Sequence, residues 1–485
     1  MSDKQKQLIV LILTVLFIAI NSYLIAQDQY VFSLVPVGLL VVYFAFFRLE
    51  TLIYIIVFFT PLSLLLSNFV SETAVDMYLP TEPLLFGVMI IFFLKLIVEK
   101  KFDRKVALHP VSIAIYFYLT WMFITSLTST MPVISFKFFI SHMWFIVVFY
   151  FIGTQIFYRY RNMERYIWAY VAGFLIVIIY TISNHSQYGL FDQQMAHSVM
   201  RPFYNDHTSY GAMLAMFIPV LTGFAVIHKK SSNAKLVLIW SLIPAFLFAI
   251  LLSYSRAAWI SLVVALVVFL IILLRIRFTT LLVFAGVLVG IFFAYQTEIL
   301  LKLEQNRQDS STDLAKHVKS ISNISSDASN LERINRWQSA LRMFSEKPLT
   351  GWGPGTYAFQ YAPFQFSYEK TIISTDFGDM GTAHSEYIGP LAESGVLGML
   401  SFLAILVVTV LTALKDYLRN TRRKYRLLAL AVFLGLVTYF THGFLNNFLD
   451  TDKASAPFWG FIAILVAIDV YHRKEEEKEL PEVKR

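Results

Sequence analysis

Cysteine is absent from the 485 residues, which excludes disulfide frameworks, thiolate metal sites and a cysteine nucleophile. Charge is scarce too: Asp, Glu, Lys and Arg make up 15% of the chain, against about 25% in an average soluble domain. Internal repeats and low-complexity segments are also missing. What fills the chain is apolar: 57% of residues are hydrophobic and the mean hydropathy is +0.62. Long apolar runs recur, among them 8–26, 236–252 and 281–295, each close to the roughly 20 residues that carry a helix across the hydrocarbon. The first run leads into another span rather than a small-residue cleavage site, which argues against a signal peptide.

These runs predict an all-α polytopic membrane protein, 1–485 forming one integral membrane domain. About 14 helices are expected, at 8–26, 30–47, 51–70, 84–98, 108–128, 133–158, 165–183, 207–227, 235–252, 257–274, 278–296, 384–413, 425–444 and 456–471. The formal charge of +8 would hint at nucleic acid in a soluble protein. Here topology explains it better, so no nucleic-acid partner is expected. Alternate connections hold Arg48; Lys100, Lys101, Arg104 and Lys105; Arg159, Arg161 and Arg165; Lys229, Lys230 and Lys235; Arg275 and Arg277; and the run from Lys415 to Arg426. The intervening short connections carry only Arg201, Arg256 and Lys453. By the positive-inside rule the first set is cytoplasmic, with both termini and a tail at 472–485 on that side.

Two external segments are too long to be plain connections: a loop at 185–206 and a large loop at 297–383. The second begins with a polar stretch, 305–329. There follows a capping-box pattern, Ser329 with Glu332 three residues on, and Leu331, Ile334, Trp337, Leu341 and Phe344 at helical spacing up to Pro348. The pattern predicts an amphipathic helix, lying on the membrane or against the bundle. Next comes Gly351-Trp352-Gly353-Pro354-Gly355, which lacks the strand and Lys-Ser/Thr of a nucleotide loop and reads first as a structural turn.

Candidate chemistry gathers on this external side. His384 stands where the large loop meets the twelfth span; an imidazole there suits a general base, the alternative being a histidine satisfied by a loop carbonyl. Glu386 and Glu393 share a helix face around an expected kink at Pro390, and Glu393 lies deep enough to need a partner, either substrate or a neighbouring helix. Arg256, Arg333, Arg336 and Arg201 are external guanidinium groups, and such groups bind phosphate oxygens bidentately; interfacial snorkelling is the competing reading for each one alone. Arg333 and Arg336 are neighbours on one face, and Glu332 can neutralise Arg336 at i+4. His207, just after Arg201 and Asp206, and Trp337 complete the substrate-binding candidates. No histidine pair has zinc spacing, and Asp450-Thr451-Asp452 is only a lone acidic pair, so no metal is expected.

Four ordered pieces resemble the O-antigen ligase and polymerase superfamily of bacterial membrane glycosyltransferases. They are Ser255-Arg256-Ala257-Ala258-Trp259; Arg333-Ile334-Asn335-Arg336-Trp337; Pro348 to Gly355; and His384-Ser385-Glu386-Tyr387 with Glu393-Ser394-Gly395-Val396-Leu397-Gly398. The stretch from Asn205 to Gly211 also resembles the family. The resemblance implies transfer of a glycan from an undecaprenyl-diphosphate carrier to a lipid or glycan acceptor hydroxyl. It places this at the periplasmic face of the bacterial inner membrane, in contact with membrane lipids. By position His384 would activate the acceptor, Arg256 and Arg333 would hold the diphosphate, and no metal or other cofactor would take part. The family's usual His-Asn pair is His384-Ser385 here, and about 14 spans exceeds the dozen typical of ligases. A polymerase or protein O-oligosaccharyltransferase with the same chemistry therefore stands beside the ligase. A lipid-linked sugar transporter or flippase is the alternative from another class; such proteins usually show the inverted repeats that are missing here.

Overall fold

The computed structural model describes residues 2–70, 76–230, 232–277, 279–280, 286–287, 328–370, 374 and 381–472. The expected span at 278–296, the polar stretch after it and the tail beyond 472 lie almost wholly outside them, as does the side chain of Ser329. Contacts divide the chain into two units, 1–56 and 57–485.

The first unit holds α1 (Asp3–Ile25), α2 (Val35–Phe47) and the start of α3 (Leu49–Phe59). A capping box starts α1: Gln5 N–H donates to Ser2 Oγ and Ser2 N–H to Gln5 Oε1. None of α1 is buried, and its apolar side chains point outward on every face, as suits a helix sitting in lipid. Phe17 stacks on Phe32 at 5.3 Å, and Ser33 donates to Asn21.

The second unit is a helical bundle. Its members are α4 (Thr81–Glu99), α5 (Pro110–Leu127), α6 (Pro132–Phe145, continuing through a π-helical turn to Ile156), α7 (Tyr160–Ser186), α8 (His207–Ile227), α9 (Asn233–Leu252) and α10 (Arg256–Leu273). After them come α11 (Ala328–Glu346), α12 (Ile388–Arg419), α13 (Arg423–His442) and α14 (Asp452–Ala467). Among the described residues, 11 helices are long and apolar enough to cross a membrane, with shorter apolar helices at Val31–Phe47 and Leu49–Leu62. The protein is thus a polytopic all-α membrane protein. The span expected at 51–70 is cut short: Pro61 closes the helix, and the chain turns into a two-residue hairpin pairing Leu64 with Leu79 and Leu65 with Tyr78.

The most buried helices are α14, α13 and α8. With no hydrophobic drive between helices in lipid, small residues permit close approach. A Cβ on Gly223 of α8 would lie 2.4 Å from Ala431 Cβ of α13, and one on Gly435 of α13 would lie 2.6 Å from Met216 O of α8. These two helices carry the site between them at one end. At the other end the basic connections meet. Tyr471 bonds Asp103 at 2.8 Å, Lys415 bonds Asp469 at 2.9 Å, Lys424 lies over the Tyr160 ring at 4.6 Å, and His228 reaches Glu164 at 2.7 Å.

Candidate active site

The site is built from helix ends. Asp206 caps α8: its Oδ1 accepts from Thr208 N at 2.8 Å, Thr208 Oγ1 at 2.7 Å and Ser209 N at 2.8 Å. Burial pushes the Asp206 carboxyl up, but these hydrogen bonds and the neighbouring His207 outweigh it and hold the pKa below the ordinary value. One turn into α8, Gly211 lets the turn before α10 come close, since a Cβ there would be 2.7 Å from Ser255 Cβ. That approach sets Arg256, the first residue of α10, beside His207, whose ring stacks on His197 at 4.2 Å.

Helix α11 brings Arg333 to the same place. The Arg333 Nε–H donates to Leu445 O at 3.1 Å, tying α11 to the loop after α13. Burial and then the like charge of Arg256 lower the Arg333 pKa, while Asp206 opposes them. The expected helix is present, but the face it docks differs from the apolar stripe. Glu332, Asn335, Arg336, Ser339, Ala340 and Met343 are buried, whereas Leu341 is exposed and Leu331, Ile334, Trp337 and Phe344 are half-buried. The polar face goes inward because its charges are satisfied there. Arg336 Nε–H donates to Glu332 at 2.7 Å, its guanidinium lies 4.2 Å over the Tyr361 ring, and Tyr357 Oη–H donates to Arg336 O at 2.7 Å.

The glycine segment holds this helix against α12. At Gly395 φ is +69° and the helix breaks there, not at Pro390, which lies in the first turn where proline costs no hydrogen bond. A Cβ on Gly395 would be 2.1 Å from Leu349 O, and one on Gly353, at φ +118°, would be 1.9 Å from Ser129 Oγ. Across the break, Trp352 N bonds Ala392 O at 3.1 Å, Gly353 N bonds Glu393 O at 2.7 Å and Val396 N bonds Pro348 O at 2.9 Å. The structural-turn reading of 351–355 therefore holds. Glu393 accepts Tyr357 N–H at 3.0 Å, so the partner it needs is the protein itself.

His384 sits just ahead of α12, half-buried, with a left-handed φ of +49° that a non-glycine residue seldom takes. Its neighbours fix it from both sides. Gly381 leaves no room for a Cβ, which would be 1.5 Å from Arg336 Nη1, and Ser385 Oγ accepts from Tyr387 N and Ile388 N, both at 3.3 Å. Ser385 thus holds the backbone amides at the start of α12. Burial lowers the His384 pKa to about 4, helped by the positive charges of Arg333 and Arg336 and opposed by Asp206 and Glu332. The imidazole is neutral at pH 7 and able to accept a proton.

Among the sequence candidates, Arg256, Arg333, His207 and His384 come together. Arg336 belongs to the same neighbourhood but is spent on Glu332 and Tyr361, Trp337 sits half-buried on α11, and Glu393 holds a turn. Arg201 is exposed and its Nε–H donates to Asn205 O at 3.0 Å within its own loop. Asp450 and Asp452 diverge: Asp452 takes the Thr81 hydroxyl at 2.5 Å, whereas Asp450 opens toward a cavity. Asp206 and His442 were not singled out by the sequence reading, yet both lie within the electrostatic reach of Arg333. The usable signal is position: Asp206 precedes the first turn of α8 as His384 precedes α12, and His442 ends α13.

Fold and site together define a polytopic membrane protein with a cluster of arginine and histidine side chains at one end of its bundle. Residues 240–403, about a third of the chain, match the family model for O-antigen ligase. That match supports membership of the O-antigen ligase superfamily, and with it a ligase- or polymerase-type membrane glycosyltransferase. The matched stretch contains Arg256, Arg333 and His384; Arg201 and His207 precede it. No curated protein matches the chain.

Proposed function

We propose that this enzyme moves a glycan from an undecaprenyl-diphosphate carrier to an acceptor hydroxyl at the periplasmic face of the bacterial inner membrane, in the manner of an O-antigen ligase. The observation that carries the reading is the convergence of two arginines and a neutral histidine at one end of a lipid-embedded bundle. His384 takes the proton of the acceptor hydroxyl as its oxygen attacks the anomeric carbon. The carbon–oxygen bond to the carrier breaks, and the electron pair leaves with the diphosphate. Arg256 and Arg333 meet the charge that develops there. Two guanidinium groups held close together repel each other, and a diphosphate bound between them relieves that repulsion as a neutral ligand would not. Asp206 and His207 border that anion and keep the helix ends in place.

Purified protein given a lipid-diphosphate-linked glycan and candidate acceptors tests the reading by mass spectrometry of the products. Transfer with release of the carrier diphosphate is expected; translocation of intact donor across a vesicle without any transfer would replace it with a transporter. Deleting the gene separates the two closest variants of the chemistry. Accumulated carrier-linked polymer marks a ligase, whereas a single carrier-linked repeat unit marks a polymerase.

A further inference from the structure

His384 stands ahead of the start of α12 and Arg419 ends it. At that opposite end of the bundle the charge is uneven. Three connections, 158–165, 228–235 and 419–426, hold eleven Lys and Arg side chains and a single acid, Glu164. The start of α7 brings them to one face. Glu164 reaches His228 at 2.7 Å and Lys235 at 3.7 Å, while the Tyr160 ring lies 5.2 Å from that of Tyr425 and 4.6 Å from Lys424 Nζ. Ten of the eleven cations are exposed, and Lys235 is half-buried. The first turns of α7, α9 and α13 contain no acidic residue, so the positive ends of these helix dipoles add to the charge. Elsewhere at the same end the charges are closer to balance. There 99–105 sets four Lys and Arg against Glu99 and Asp103, and Asp469 takes Lys415 at 2.9 Å.

The cations of the uneven face lie over rings more than beside acids. Arg159 is 5.0 Å over Tyr158, Lys424 is 5.0 Å over Tyr425 and Arg426 is 6.0 Å over Tyr417. Tyrosines of this kind sit at headgroup depth in a membrane. His472 stacks on Tyr425 at 4.3 Å, and residues 473–485 after it carry five Glu against five Lys and Arg, so they bring no net charge to offset the patch. Apolar side chains stand exposed beside the cations: Leu418 at 68%, Val237 at 67% and Val226 at 43%. An acidic protein or a soluble polyanion would meet the charges and leave these side chains in water. A lipid covers both, with its headgroup on the cations and its acyl chains on the apolar flank.

We propose that this face binds the headgroups of anionic phospholipids and so holds the α7–α13 side of the bundle in its leaflet. Arg422, Arg423 and Lys424, at the start of α13, meet the phosphate oxygens, the two guanidinium groups in a bidentate way. Each Lys or Arg near the headgroups contributes roughly fivefold in affinity. The assignment belongs to this face and not to basic connections at large, because the better-balanced side at 99–105 offers no such surplus. It stands whatever reaction the opposite end performs.

Native mass spectrometry tests it on the full-length protein released from micelles that hold phosphatidylglycerol and phosphatidylcholine in equal amounts. Wild-type protein is expected to retain phosphatidylglycerol in at least tenfold excess. Glycerol 3-phosphate at the concentration of the lipid is expected to displace none of it. The triple variant Arg422→Gln, Arg423→Gln, Lys424→Gln, all at exposed side chains, is expected to lose that preference at least tenfold with its thermal midpoint unchanged. Two controls fix the location. Lys100→Gln with Lys101→Gln, and separately Arg333→Ala at the other end of the bundle, are expected to retain lipid as wild type does. No preference for phosphatidylglycerol, full displacement by glycerol 3-phosphate, or unchanged retention in the triple variant overturns the proposal. An equal loss in either control overturns it too, since the lipid would then sit elsewhere.

Discussion

The acid limb of the pH profile is where the pocket's electrostatics become measurable. A free histidine side chain titrates near 6.5 and would be about three-quarters protonated at pH 6. His384, with its pKa lowered to about 4 by burial and then by Arg333 and Arg336, is only about 1% protonated there. The base form is the active one, so activity is retained above the folded pKa and lost as pH falls through it. Since kcat/KM reports the free enzyme, it should stay flat from pH 8 down to about pH 5. Bound donor changes the balance. One negative charge about 6 Å from the ring is worth roughly 3 kcal/mol at an effective dielectric of about 20, or about two pH units. The acid limb of kcat should therefore lie near pH 6, above that of kcat/KM. A diphosphate diester does not titrate in this range, so the substrate contributes no limb of its own. The assay is initial-rate glycan transfer in nanodiscs at limiting and saturating donor. A kcat/KM limb at pH 6.5, coincident with that of kcat, would refute the reasoning.

Further outcomes follow from the same geometry. Arg333→Ala removes a charge-assisted phosphate contact worth about 1.5–3 kcal/mol, so carrier diphosphate should bind roughly 10- to 150-fold more weakly by calorimetry while the fold persists; loss of stability alone would assign Arg333 to headgroup snorkelling. Gly395→Ala forces a Cβ to within 2.1 Å of Leu349 O at a left-handed φ, which should cost about 1–3 kcal/mol and lower the thermal midpoint in detergent, whereas Pro390→Ala should leave it nearly unchanged.

The helices were legible because their signal is long and one-dimensional. Every expected span outside 278–296 carries an apolar helix, although Pro61 ends one early. Arg256, Arg333 and His384 were legible as types in order, and the pairing of Arg336 with Glu332 followed from i+4 spacing. What the sequence hid depends on contacts between distant segments. The inward face of α11 is polar because Tyr357, Tyr361 and Phe364 cover it, and those residues lie beyond a loop. The break at Gly395 needs Leu349 O, and the role of Glu393 needs the Tyr357 amide. Pro390 looked like the stronger helix breaker only because nothing local shows that it falls in the first turn. Asp206 was hidden for a similar reason, since its capping duty is local but its place beside Arg333 is not.

The central proposal is that His384 takes the acceptor proton beside arginines that hold a lipid diphosphate. The direct measurement is glycan transfer by purified His384→Ala protein alongside its binding of carrier diphosphate. The account predicts that transfer is abolished while membrane insertion and carrier binding persist. Transfer at the wild-type rate by that variant would contradict it.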